Sequence, residues 1–408
     1  MGCDSGCQDK AMWPEWPKSL NVERLLANGW RPTPFRQFIM KIHSRCNLAC
    51  HYCYMYELAD QSWRTRPRTM SSALISVTAM RIAEHARAHN LDSVRIIFHG
   101  GEPLLGGEDL VIDALHKIRG VVDARVSVEA WVQTNGTLLD ERALDALEAR
   151  SIRVGVSLDG DTATHDQSRR YANGRGSYDE VTQALQRLTK RPSIYSGILC
   201  MANLSADPIA TYESLLRFSP PAIDFLLPHA NWSSPPPRWR DSTLAPYAEW
   251  LIPIFDRWYG ATTQETRIRL FDEIIHLLFG GRSATESVGL APTTLVVIET
   301  DGSIEQSDSL KSAYEGAAAT GLHIARDSFD DALRLPQVAA TQLGLGALND
   351  ECLACSIRGI CGAGLYAHRY RAGNGFRNRS VYCEDLYALI MHIRTRLISD
   401  LRARHLTC

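Results

Sequence analysis

Between residues 37 and 227 the sequence alternates six apolar, strand-like runs with five segments of helical period. The strand candidates are 37–42, 94–99, 126–134, 153–158, 194–201 and 223–227, and the helix candidates are about 71–89, 108–119, 138–150, 177–190 and 207–218. Residues 71–89, for example, place Leu74, Ile75, Val77, Ile82 and Ala83 close to helical spacing. Such alternation predicts parallel βαβ units, as an incomplete α/β barrel or an open sheet. The loops after the strands then share one edge, where such folds keep their active sites. Residues 1–34 are irregular, interrupted by Trp13-Pro14, Trp16-Pro17, Pro32 and Pro34, with one helical turn near 22–26. The pattern changes near 228. A loop with Pro235-Pro236-Pro237 precedes two helical stretches, about 243–259 and 264–279. A hairpin turns at Asp301-Gly302 between 294–299 and 303–306. A Cys- and Gly-rich region and an amphipathic helix over about 384–403 complete the chain. The expected units are 1–34, 35–228, 229–292 (a helical bridge) and 293–408.

Composition narrows the function classes. Hydrophobic residues make 45% and charged residues 22%, an ordinary globular balance, and the net charge is −2. That balance gives no global field for a nucleic-acid backbone or an anionic membrane. No run approaches 18 apolar residues, MGCDSGCQDK has no apolar core of a signal, Gly6 stands where myristoylation needs Ser or Thr, and Cys408 is last. A cytoplasmic, reducing setting is the expectation. The 11 cysteines are an odd number, which excludes a fully paired disulfide framework.

Two groups of cysteines carry the chemistry. Cys46, Cys50 and Cys53 form C-x3-C-x2-C directly after the first strand. Three thiolates on one loop can hold three irons of a cubane and leave the fourth open to a ligand. The alternative is zinc completed by His51 or His43, although structural zinc sites usually repeat C-x2-C pairs. Cys352, Cys355, Cys361 and Cys383 form C-x2-C-x5-C-x21-C, which fully ligates either a [4Fe-4S] cluster or zinc. Of the others, Cys200 lies in an apolar strand and reads as core, while Cys3, Cys7 and Cys408 read as free thiols.

The first cysteine loop, with its strand before and barrel pattern after, resembles the radical S-adenosylmethionine (SAM) superfamily over about residues 35–227. That resemblance implies an incomplete (β/α)6 barrel and an open iron that chelates SAM, which is cleaved reductively to a hydrogen-abstracting 5′-deoxyadenosyl radical. Further matches fall at strand ends. Tyr52 precedes the third cysteine, where the family places an aromatic against adenine. Gly100, Gly101 and Glu102 match the motif whose backbone meets the SAM amino group. Gln133 and Asn135 end the third strand. Ser157 and Arg169, with Arg170 as the alternative, match residues that reach the SAM carboxylate or ribose. The second group resembles the SPASM extension of peptide-modifying members, which commonly holds two auxiliary clusters. Here Ser307 and Leu365 stand at two cysteine positions of the first of these, and no cysteine lies 9 to 15 residues before Gly302. The resemblance then implies SAM and two [4Fe-4S] clusters, one SAM-binding and one auxiliary.

Longer strings narrow the expectation. Residues 34–63, 224–232, 307–314 and 361–370 resemble the FxsB-type maturases, which form three-residue cyclophanes on ribosomally made precursor peptides. The implied reaction joins an aromatic ring carbon to a nearby Cβ, with Asp308, at the base position of similar sulfatase maturases, accepting the proton. The other reading makes Asp308 a helix cap. Implied partners are a small precursor peptide and a reductant such as flavodoxin or ferredoxin. Trp232, Trp239 and Tyr247 are candidates for lining a peptide groove, and the 294–306 hairpin is a candidate edge for strand addition. Only 34 residues precede the first strand, too few for a separate leader-binding domain. Rival readings are an anaerobic sulfatase maturase making formylglycine, a non-catalytic iron–sulfur electron carrier and a zinc-stabilised binding protein. The first is disfavoured because those enzymes keep both auxiliary clusters.

Overall fold

The computed structural model describes residues 16–236 and 244–406. Its strands are β1 (Gln37–His43), β2 (Ser93–Gly100), β3 (Ser127–Thr134), β4 (Ile152–Ser157), β5 (Tyr195–Met201), β6 (Ala222–Leu226), β7 (Arg267–Ile268), β8 (Leu295–Ile298), β9 (Ser303–Glu305) and β10 (Ala319–His323). They form one sheet in the order β10-β9-β8-β1-β2-β3-β4-β5-β6-β7. Pairing is parallel from β8 through β7 and antiparallel for β8–β9 and β9–β10. Since β7 and β10 are the two ends, the α/β sheet is open, the incomplete barrel the alternation predicts.

The helices are α1 (Val22–Ala27), α2 (Ser72–Ala88), α3 (Glu108–Val121), α4 (Glu141–Glu148), α5 (Thr162–Ser168), α6 (Tyr178–Leu188) and α7 (Pro208–Leu216). Then come α8 (Pro246–Tyr259), α9 (Arg269–Leu278), α10 (Phe329–Leu333), α11 (Pro336–Ala340), α12 (Asp350–Ala354), α13 (Arg358–Cys361) and α14 (Cys383–Leu406). Ser71 starts α2 by accepting from the Leu74 amide, and Ile75, Ala79, Ile82 and Ala86 bury its inner stripe.

Strand alternation sorts the side chains. Phe38, Met40, Ile42, Val94, Ile96, Phe98, Val132, Val154, Val156 and Ile198 are buried in the core. Gln37, Ile39, Arg95, His99, Gln133, Ser157, Leu199, Met201 and Leu226 line a cavity instead. Cys200 is fully buried in β5. Among the described residues no helix is long and apolar enough to cross a membrane.

Several expectations meet the structure differently. The 294–306 hairpin offers no free edge, because β1 flanks it on one side and β10 on the other. Trp232 donates its indole N–H to the Arg379 carbonyl at 2.7 Å, and Tyr247 is buried in α8, so packing claims both. Cys3, Cys7, Trp239 and Cys408 lie outside the described residues.

Candidate active site

The end of β1 leads straight into the first cysteine loop. Cys53 N–H donates to the Cys50 carbonyl at 3.0 Å, and Leu48 N–H meets Cys46 Sγ at 3.4 Å. Burial raises all three thiols, Cys46 to about 12 and Cys53 to about 11. Thiols so placed become ligands only when a metal centre takes them as thiolates. A single zinc would draw its sulfurs to about 3.8 Å apart, from Zn–S bonds of about 2.3 Å. Among the described residues no three cysteine ligand atoms lie within 4.8 Å of one another. Both cysteine groups therefore suit separate irons of a larger cluster better than one ion.

One cavity of about 440 Å³ gathers Cys46, Cys50, Cys53, Tyr52, Gly100, Gly101, Gln133, Asn135, Ser157, Arg169 and Asp308. Residues as far apart as 46 and 308 thus share one wall. A Cβ on Gly101 would lie 2.5 Å from the Arg45 backbone, so the glycine lets the two loops touch. Arg169 Nε donates to Asp159 Oδ2 at 3.0 Å, and its guanidinium lies 5.6 Å from the Tyr52 ring centre. Tyr52 also donates to Asp159. Arg170 instead turns to the Asp166 carbonyl and is exposed. Gln133 Nε2 donates to Ser157 Oγ at 3.2 Å, and Asn135 Nδ2 reaches Cys46 Sγ at 3.6 Å.

Glu102 does not line the cavity. Its fully buried carboxylate accepts from Asn135 N–H at 2.7 Å, Thr134 Oγ1 at 2.7 Å and Leu104 N–H at 3.0 Å. The side chain ties the end of β2 to the end of β3, and burial pushes its carboxyl up to about 7.

Asp308 opens a 3-10 turn, Asp308–Ser312, without capping it, since Ser307 holds the N-cap position. Its Oδ2 pairs with Lys41 Nζ at 2.5 Å, while Oδ1 is buried with no partner among the described residues. Lys41 was missed at sequence level, although a lysine inside FIMKIH, an otherwise apolar strand, was the available signal. His99 beside it, Asp159 and Glu286 were likewise not singled out. Glu286 accepts from Ser307 Oγ at 3.3 Å, and Ser307 and Leu365 line the cavity where the family pattern has cysteines.

Cys352, Cys355, Cys361 and Cys383 line a second cavity, with Cys383 opening α14. Burial raises the Cys352 thiol to about 11 and Cys361 to about 12. The buried Arg369 donates to the carbonyls of Gly362 at 2.6 Å and Gly364 at 2.7 Å, bracing the loop after Cys361.

The model of the radical SAM superfamily matches residues 40–215. The cysteine-type anaerobic sulfatase-maturating enzyme of Clostridium perfringens (strain 13 / Type A) is 26% identical over 282 residues, 67% of this chain and 74% of that protein. The serine-type enzyme of Bacteroides thetaiotaomicron is 21% identical over 393 residues, 88% of this chain and 89% of that one. Among solved structures, native anSMEcpe with bound AdoMet has a TM-score of 0.76 at 22% identity, covering 89% of this chain and 98% of that chain. Streptococcus suis SuiB bound to precursor peptide SuiA has a TM-score of 0.58 at 14% identity, covering 89% and 78%. At these identities the structures carry the fold alone.

These relatives overturn the cyclophane-forming function expected from the longer strings. The physical reason is visible in where the strings lie. Residues 34–63 hold β1 and the first cysteine loop, 224–232 run from within β6 past its end, 307–314 hold the Asp308 turn, and 361–370 lie at the second cysteine site. Apart from Asp308, these stretches are strands, loops and short turns around the two cavities, so they do not specify which bond the enzyme makes. The three-thiol loop after β1 and the strand-end residues that meet it all fall within residues 40–215, the stretch that is similar to the radical SAM superfamily.

Proposed function

We propose that this chain is a radical SAM peptide maturase that oxidises the β-carbon of a Ser or Cys residue to the aldehyde of formylglycine. Relatives of both types align over two thirds or more of the chain. The observation that carries the reading is Asp308, which lines the cavity that also holds the three-thiol loop and whose buried Oδ1 has no partner among the described residues.

The residues present fit SAM and two [4Fe-4S] clusters: Cys46, Cys50 and Cys53 would hold the first cluster, and Cys352, Cys355, Cys361 and Cys383 the second. When bound, SAM and these clusters supply hydrogen-atom abstraction from an unactivated C–H bond and an acceptor for one further electron. Tyr52, Ser157 and Arg169 form the cofactor wall, with Asp159 fixing Tyr52 and Arg169 together. Asp308 Oδ1 takes the proton that the substrate hydroxyl or thiol releases on oxidation. Oxidation of a serine thus removes two hydrogens, one as an atom and one as a proton, with one electron; the same loss from a cysteine gives a thioaldehyde, which water hydrolyses to the aldehyde with release of hydrogen sulfide. A flavodoxin or ferredoxin would supply the priming electron.

Anaerobically reconstituted protein, incubated with SAM, dithionite and Ser- or Cys-containing peptides, should yield a peptide aldehyde that reacts with hydrazide. Cys46→Ala should abolish SAM cleavage, and Asp308→Asn should lower aldehyde yield at least about 100-fold while SAM cleavage persists. A peptide that loses two hydrogens without becoming hydrazide-reactive would overturn the reading.

A further inference from the structure

Lys41 is a fully buried cation in the middle of β1. Its ammonium reaches Asp308 Oδ2 at 2.5 Å, His99 Nδ1 at 2.7 Å and Met55 Sδ at 3.8 Å. An ammonium has three donors and no acceptor, so these three contacts use it completely. The consequence for His99 is strict. Its Nδ1 must accept, so the ring is neutral and its proton sits on Nε2. Burial and the Lys41 charge both hold His99 well below its ordinary value, in agreement. Nε2 makes no hydrogen bond among the described residues, and the ring lines the cavity. On the other side of Lys41, Asp308 Oδ1 is the unpartnered acceptor. The two groups are neighbours, with His99 Nδ1 and Asp308 Oδ2 4.0 Å apart.

We propose that Lys41 is a positioning residue that fixes Asp308 Oδ1 as an acceptor and His99 Nε2–H as a donor, and that this pair recognises the hydroxyl of a serine-type substrate residue. This rests on the proposed peptide oxidation and narrows its substrate. A hydroxyl donates one hydrogen bond and accepts another, so one oxygen satisfies both groups. A thiol is weak in both roles and leaves the His99 donor poorly paired. A methyl side chain leaves both groups unpaired in a buried site, which is the costlier error.

The test is binding, so its result does not depend on whether an aldehyde forms. N-acetylserinamide, N-acetylcysteinamide and N-acetylalaninamide are titrated into the reconstituted, SAM-loaded enzyme by calorimetry. The serine amide should bind at least about fivefold more tightly than the cysteine amide and about tenfold more tightly than the alanine amide. Lys41→Met should abolish the preference, and His99→Leu, which removes the donor and leaves the Asp308 acceptor, should weaken it. His99→Gln keeps a side-chain N–H donor and should retain serine preference, a rescue that a purely structural role would not show. Equal or undetectable binding of the three amides overturns the proposal, as does a Lys41→Met enzyme that keeps the preference. Should Lys41→Met fail to fold, the His99→Leu and His99→Gln pair decides the same point.

Discussion

Glu102 and His165 carry opposite proton linkages over nearly the same pH range. Burial lifts Glu102 from 4.5 to about 7. The folded chain therefore keeps a proton that the unfolded chain releases, and this stabilisation is complete below 4.5 and lost as pH rises through 7. Burial, and then the Arg169 charge, push His165 from 6.5 down to about 4. Its Nδ1 accepts from Asp159 N–H at 3.2 Å and its Nε2 meets Ser177 Oγ at 3.0 Å, so the neutral ring is fully used. The unfolded chain takes up a proton that the folded chain refuses, and this contribution is complete above 6.5 and lost as pH falls through 4. Each effect is about 3 kcal/mol, and the two cancel between pH 4.5 and 6.5. Relative to the parent protein, Glu102→Gln should make the slope of Tm against pH more positive in that window, and His165→Gln should make it more negative. Parallel curves for all three would refute the assignment. At this scale the grouping of Cys46, Cys50 and Cys53 was legible because the three thiols are close in sequence. Lys41 was not, because the carboxylate that explains it is Asp308, on a turn beyond β9.

The helices show the same division at the scale of elements. Helical period located α8 and α14, yet not the contact that joins them. Ala245, the N-cap of α8, supplies no side-chain bond, and Asp385 from the first turn of α14 accepts from the Tyr247 and Ala248 amides instead, at 2.8 and 3.2 Å. A cap borrowed from another helix has no local signature. Asp385→Ala should cost about 1 kcal/mol, and hydrogen exchange should show lost protection in the first turn of α8 before the rest of the helix. Unchanged protection there would mean the carboxylate is not the cap. The elements that sequence reading missed are short: β7 has two residues, and α10 to α13 have four or five each. Such lengths complete barely one helical turn or one strand pair, too few to establish a period. The parallel seating of β8 beside β1 was equally hidden, since register across 258 residues is set by packing.

Across the whole molecule that seating makes the sheet continuous from the barrel into the extension, and a buried charge network fastens the seam. Lys311 donates to Glu299 at 2.9 Å and Glu305 at 2.7 Å, while Arg66 from the barrel side reaches Asp301 at 2.8 Å and also pairs with Glu305. Glu299, Glu305 and Asp308 bring ligand oxygens within 4.8 Å of one another, and three cations make these buried carboxylates tolerable: Lys311 for Glu299 and Glu305, Arg66 for Glu305 and Lys41 for Asp308. Lys311→Met should destabilise the protein by about 3–5 kcal/mol, read as denaturant midpoint, and a loss under 1 kcal/mol would show the network to be dispensable. The same seam limits the metal content. Where the family's first auxiliary site has cysteines, the cavity is lined by Ser307 and Leu365, with Glu286 held to the serine. A hydroxyl and an isobutyl group do not replace two thiolates, so this region should hold no cluster. Iron assay of the anaerobically reconstituted protein should give about eight irons per chain. The double variant Cys352→Ser, Cys383→Ser should give about four while SAM cleavage at the Cys46 site persists, because the two cysteine groups lie in separate cavities. About twelve irons in the parent protein would mean that oxygen ligands at the Ser307 position support a third cluster. Eight irons in the double variant would remove the second site from Cys352 and Cys383.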